Sequence, residues 1–217
     1  MTTPADTLAC MRAVKVVPVL RAGRIEAALT AAEWLAEAGM SVIELTFTTP
    51  GILEGISELC RRKGILVGAG TVLSRADARA AITAGAHFLV TPCWVDGIIE
   101  QAQASGLAAL IGTANPSEIW RAHSAGATAV KVFPAAMLGG PSYLNQVRAV
   151  FPHVPMMPTG GIALADVKDY LAAGSVCVGL GSELAPAKAI EAGDKAAILD
   201  RAQRLLASLA SPPAISV

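Results

Sequence analysis

The sequence is poor in charge imbalance, in aromatic rings and in clustered metal-binding side chains. Lys and Arg total 17, and so do Asp and Glu, so the net charge is zero. With no basic stripe either, nothing points to nucleic acid or an acidic membrane surface as partner. Four cysteines (Cys10, Cys60, Cys93, Cys177) are scattered without CxxC spacing. They favour neither a zinc site nor a disulfide framework, and they suit a reduced cytoplasm. His87, His123 and His153 lie far apart, and none has a second ligand at helical spacing, so no metal is expected. The start, MTTPADTLACMRAVKVV, lacks the basic and apolar regions of a secretory signal. The most apolar stretches, 80–95 and 170–182, are short and broken by Gly or Pro, so no membrane span is expected. The expected location is the cytoplasm.

What is present is aliphatic. Hydrophobic residues make up 53% of the 217, but aromatics only 4%. The apolar mass is therefore Ala, Val, Leu and Ile, as in strands buried on both faces under close-packed helices. Trp34 and Trp120 fall in amphipathic helical patterns and read as packing. The length suits one domain with a substantial core.

Short apolar runs alternate with helical patterns throughout. Eight candidate strands fall at 14–20, 41–45, 64–69, 87–91, 107–112, 127–133, 155–159 and 176–180. Helical patterns include 24–39, 74–85, 117–126 and 163–174, with apolar residues at three- and four-residue steps. Four helix ends read as the same phrase, Ala-Gly followed by a buried strand: AEAGM, ITAGAH, HSAGAT and LAAGSV. Alternating βα units imply a parallel sheet with right-handed crossovers, and eight of them imply closure into a (β/α)₈ TIM barrel. An open doubly wound sheet would need a Gly-rich fingerprint after the first strand, which LRAGRIE does not supply. The expectation is one α/β barrel domain over residues 1–217, with an N-terminal helix at about 4–14 and a frayed tail at about 210–217.

In such a barrel, chemistry occupies the C-terminal strand ends and the loops after them. Of six lysines, Lys131 alone lies deep in a strand, ATAVKVFPA. A buried ammonium is costly unless it loses its proton or finds a partner. Lys131 is either half of a structural ion pair or a Schiff-base nucleophile, since a desolvated amine attacks a ketone. Glu44 is the matching anomaly, an isolated carboxylate in SVIELTFTTP. It reads as an ion-pair partner of Lys131 or Arg21, or as a general acid/base. Two glycine pairs follow the last two strands, PTGGI (158–162) and GLGSEL (179–184). They stand where barrels often bind phosphate, so Gly160, Gly161, Gly181 and Ser182 are candidate phosphate ligands. The plainer reading is tight turns, with Ser182 as a helix cap. Arg21 ends the first strand, where a guanidinium could hold a carboxylate at two points. Thr46, Thr48 and Thr49 cluster after the second strand, and Cys93 could border the pocket.

Taken in order, VPVLRAG, IELTFTTP, GAGTVL, FLVTP, ATAVKVFPA, PTGGI and VGLGSEL resemble the 2-keto-3-deoxy-6-phosphogluconate (KDPG) / 4-hydroxy-2-oxoglutarate (KHG) aldolases, from about residue 12 to about 205. The resemblance implies a class I aldolase, usually a homotrimer, that needs neither metal nor cofactor and splits a phosphorylated keto acid to pyruvate and an aldehyde. Lys131 matches the Schiff-base lysine and Glu44 the acid/base. Thr71 and Thr159 match substrate-contacting threonines, Pro92 and Phe133 match pocket-lining positions, and Gly160, Gly161 and Ser182 match the phosphate loops. Two departures stand out. Phe47, Thr48 and Thr49 replace the LRT of many members, and Arg21 takes the carboxylate contact as in a subgroup. LIGTANP replaces PGxxTP. The expected reaction is cleavage of KDPG to pyruvate and glyceraldehyde 3-phosphate. The alternatives are 2-keto-3-deoxy-6-phosphogalactonate or KHG as substrate and, outside the class, a phosphate-binding barrel isomerase or epimerase that needs no imine. A catalytically silent barrel is disfavoured, because a buried Lys and Glu would cost it stability without return.

Overall fold

The structure, a computed structural model, describes residues 2–210. Beyond Ala210, the expected frayed tail lies outside the described residues. The strands are β1 (Val16–Leu20), β2 (Val42–Thr46), β3 (Leu66–Gly70), β4 (Phe88–Val90), β5 (Ala108–Thr113), β6 (Ala129–Val132), β7 (Met156–Pro158) and β8 (Val178–Leu180). Each falls within two residues of the bounds read from the sequence. The helices are α1 (Pro4–Val14), α2 (Ile25–Glu37), α3 (Ile52–Leu59), α4 (Arg75–Thr83), α5 (Ile98–Ala104), α6 (Pro116–Ser124), α7 (Gly140–Val150), α8 (Val167–Ala172), α9 (Ala187–Glu191) and α10 (Lys195–Ala210).

All strand pairs are parallel, and each strand from β1 to β6 pairs with the next in sequence. β8 returns to β1, with Val17 opposite Gly179. Closure against β7 is slighter: Thr159 bridges Gly179, and the Val176 N–H donates to the Met156 carbonyl at 2.9 Å. The eight-stranded barrel is thus nearly closed. The four Ala-Gly phrases end their helices as expected, with Gly39, Gly85, Gly126 and Gly174 at φ of +99°, +99°, +94° and +86°. That left-handed conformation is strained for residues with a Cβ. The helix expected over 163–174 differs in its first turn. The Asp166 N–H donates to the Ala163 carbonyl at 3.0 Å, a 3₁₀ spacing over Leu164–Asp166, before α8 begins.

Two apolar layers follow from strand alternation. Ile43, Leu45, Val67, Leu89, Ile111 and Val130 face outward and pack with the helices. Val17, Val42, Phe88, Val90, Leu110 and Met157 fill the barrel interior, and Met11 of α1 packs with them. Among the described residues, Phe88 is the one aromatic ring in this layer, and Gly68 makes room for it, since a Cβ at Gly68 would run into that ring. Cys177 is buried in the same layer, and burial pushes its thiol up to about 12. Such a thiol is inert at neutral pH. Among the described residues, no helix is long and apolar enough to cross a membrane.

His87 is tied into the β3–β4 seam. Its N–H donates to the Val67 carbonyl at 2.8 Å, and its Nδ1 accepts the Val67 N–H at 3.0 Å. The second bond needs an unprotonated Nδ1. Burial holds the folded-state pKa of His87 below its usual 6.5. The unfolded chain therefore binds the proton more tightly, and the resulting stability is present above about pH 6.5 and lost as pH falls through the lower folded value. Denaturant titrations from pH 7.5 to pH 5 are expected to show a stability loss that is smaller in His87→Gln.

Candidate active site

The C-terminal mouth of the barrel holds a cavity of about 560 Å³. Eleven residues named from the sequence line it: Arg21, Glu44, Thr71, Pro92, Lys131, Phe133, Thr159, Gly160, Gly161, Gly181 and Ser182; Thr46, Thr48 and Thr49 do not. Val19, Ile162, Gly179, Leu180, Glu183, Ala185 and Ala187 also line it and were not singled out. Most of these are apolar or small, a type that sequence alone does not distinguish from core. Glu183 adds an exposed carboxylate to the rim.

Lys131 and Glu44 meet at the base of this cavity. Strand alternation turns both inward, from β6 and β2. Lys131 is 5% exposed and Glu44 fully buried, and Lys131 Nζ lies 3.3 Å from Glu44 Oε1. The pair is thus the ion pair that the plainer sequence reading anticipated, but it stands in a cavity wall. Among the described residues, Glu44 Oε2 has no hydrogen-bond partner, and neither has the buried Thr159 Oγ1. A buried polar atom without a partner costs about 1–3 kcal/mol. Both residues line the same cavity as Lys131, so unused hydrogen-bonding capacity gathers in its wall. Gly70 permits this arrangement, because a Cβ there would overlap the Glu44 carboxylate. That requirement is invisible in the sequence, where GAG reads only as a strand end.

Several wall residues adopt unusual geometry. Thr71, directly after Gly70, takes φ +58°, a left-handed conformation disfavoured for a β-branched residue and of the kind that gathers at functional sites. The Phe133 ring centroid lies 5.9 Å from Lys131 Nζ, giving the amine an apolar flank. The peptide between Phe133 and Pro134 is cis.

The two glycine loops differ in why they are glycine. Gly160 and Gly161 have φ of +97° and +71°, and a Cβ would crowd Phe133 and Ala136 at 2.9 Å and 3.0 Å. Their small size has a structural cause. Gly181 has no such cause, since its φ is ordinary and a Cβ would meet only the Val19 carbonyl at 3.7 Å. Ser182 does not cap a helix, because α9 starts at Ala187 with Pro186 at the cap position. The residues between them form a turn in which the Leu184 and Ala185 N–H groups both donate to the Gly181 carbonyl at 3.0 Å.

Arg21 stands at the rim, its Nε donating to Thr48 Oγ1 at 3.0 Å. Cys93 is exposed and outside the cavity lining. Trp34 packs against the core, but Trp120 is 53% exposed and stacks on Phe151, with centroids 5.5 Å apart. Among the described residues, no three His, Cys, Asp or Glu side chains gather as metal ligands.

A family model described as KDPG and KHG aldolase matches residues 8–201. The 2-dehydro-3-deoxy-phosphogluconate aldolase of Pseudomonas aeruginosa is 37% identical, covering 91% of this chain and 89% of that protein. Among solved structures, a KDPG aldolase from Legionella pneumophila, holding pyruvate as a covalent carbinolamine captured at low pH, superposes with a TM-score of 0.85. It is 32% identical and covers 94% of this chain and 98% of its own. The 2-keto-3-deoxy-6-phosphogluconate aldolase of Zymomonas mobilis, solved with 3-phosphoglycerate, gives a TM-score of 0.81 at 35% identity, covering 92% and 93%. A barrel with a buried Lys–Glu pair at its mouth, a family match over most of the chain and relatives of this closeness agree: the chain belongs to the KDPG and KHG aldolase family of aldehyde-lyases.

Proposed function

We propose that the protein cleaves KDPG to pyruvate and glyceraldehyde 3-phosphate through a Schiff base on Lys131. The observation that carries this reading is the 3.3 Å Lys131–Glu44 pair in the cavity wall, with one carboxylate oxygen unengaged. Transfer of the ammonium proton to Glu44 frees the Lys131 lone pair, which attacks the C2 ketone to give a carbinolamine. Glu44 moves the protons, directly or through one water, that let hydroxide leave as water. The iminium is an electron sink, so the C3–C4 bond breaks as Glu44 accepts the C4 hydroxyl proton. Glyceraldehyde 3-phosphate departs, the enamine is protonated at C3, and water hydrolyses the imine to release pyruvate and the amine. The carbinolamine in the Legionella relative supports the first step.

Arg21 holds the substrate carboxylate, while Thr71, Pro92, Phe133 and Thr159 shape the pocket. Phosphate lies against Gly160, Gly161, Gly181 and Ser182. Gly181, a glycine that its own fold does not require, supports an approach by ligand there, and the 3-phosphoglycerate complex of the Zymomonas relative is consistent with it. The functional unit is taken to be a homotrimer of one-domain chains in the cytoplasm. Exposed apolar side chains on loops at the mouth, Met137 at 84% and Leu73 at 56%, suit coverage by another copy.

The substrate assignment is tested by coupling released pyruvate to its reduction, with KDPG, its C4 epimer and KHG compared. kcat/KM is expected to be at least about tenfold higher for KDPG than for either rival. Preference for the epimer would reverse the stereochemical assignment, and preference for KHG would remove the phosphate site.

A further inference from the structure

We propose that Thr48 and Thr46 are positioning residues that aim Arg21 at the substrate carboxylate; the proposal rests on the reading of Arg21 given above. Thr46 Oγ1 lies 3.1 Å from the Leu20 carbonyl, which can only accept, so the Thr46 hydroxyl hydrogen is committed there. The 2.8 Å contact between the Thr46 and Thr48 hydroxyls must then be donated by Thr48. Thr48 is left with lone pairs, and the Arg21 Nε–H, which can only donate, points at it from 3.0 Å. The relay therefore runs one way, from guanidinium to Thr48 to Thr46 to the Leu20 carbonyl, and each bond polarises the next. It ends on the residue before Arg21, closing a ring between β1 and β2.

This geometry is selective in what it leaves free. The relay uses Nε, so the two terminal nitrogens remain for a two-point grip on a carboxylate. Arg21 itself is exposed, whereas Thr46 is 1% exposed and fixed in the barrel wall. An exposed arginine on a flexible stem would otherwise sample many rotamers. The backbone that carries it is fastened as well. The Ala22 N–H donates to the buried Thr49 Oγ1 at 3.1 Å, and the Gly23 N–H donates to Glu191 Oε1 at 2.6 Å. Three successive residues of the β1–α2 loop are thus held by side chains from the β2–α3 loop and α9.

The test measures the concentration of pyruvate that half-saturates borohydride-trapped adduct formation. Thr48→Val is expected to raise it about tenfold, with the maximal trapping rate little changed, and Thr48→Ser to stay within about twofold of the parent. In an Arg21→Met background, Thr48→Val should add nothing, as a shared interaction requires. Hydroxyacetone, a ketone without a carboxylate, should be unaffected by Thr48→Val. If Arg21→Met weakens pyruvate and Thr48→Val does not, the relay is overturned while the Arg21 assignment stands. If Arg21→Met leaves pyruvate unchanged, the Arg21 assignment falls and takes the relay with it. Equal weakening of both ketones by Thr48→Val, or a lowered Tm, would reduce Thr48 to a structural role and overturn the proposal.

Discussion

Lys131→Met is expected to lower aldol cleavage by at least about 10⁴-fold, because removing a covalent nucleophile removes the reaction path and not merely one contact. Met keeps the stem length and apolar contacts, so the Phe133 flank stays filled. What the substitution leaves behind is Glu44, fully buried and without its partner. Removing one member of a buried pair costs about 3–5 kcal/mol, so the single variant should also unfold at lower temperature. Adding Glu44→Gln removes the uncompensated charge, and the double variant should regain most of that stability while staying inactive. Lost activity with recovered stability separates chemistry from structure. An isomerase using Lys131 only for its charge would instead retain measurable turnover in Lys131→Met.

Glu44→Gln alone is expected to lower kcat by about 10² to 10⁴-fold, the range of a lost general acid/base. Gln is nearly isosteric and can still contact Lys131 Nζ, so the barrel wall should keep its shape. The discriminating readout is the adduct with pyruvate, whose formation should slow without being abolished, since the amine is still present. A fall in kcat of less than about tenfold would leave Glu44 an electrostatic partner of the lysine and move proton transfer elsewhere.

Much of this architecture was legible because period and position agree along the chain. Eight apolar runs separated by helical patterns admit few closures, and the Ala-Gly stops mark where four of the helices must turn back. Lys131 and Glu44 were legible for a related reason: a lone charge inside a buried strand contradicts its surroundings. Other features lie in relations between strands. Gly70 matters because Glu44, two strand positions earlier on the neighbouring strand, needs the volume a Cβ would take. Thr46 and Thr48 looked like ordinary loop-start threonines, and only the Leu20 carbonyl beside them fixes the direction of their hydrogen bonds. Gly160 and Gly181 read alike in sequence, yet one is glycine for its backbone and the other is not. Ser182 had the residue type of a helix cap, but α9 begins five residues later, at Ala187.

The most direct test of the central claim is to incubate the purified protein with pyruvate and borohydride and locate the added mass by peptide mass spectrometry. The expected result is one reduced pyruvate adduct, on the peptide containing Lys131, absent from Lys131→Met. No adduct in folded protein, or an adduct spread over the exposed lysines and unchanged in that variant, would contradict a Schiff base at Lys131.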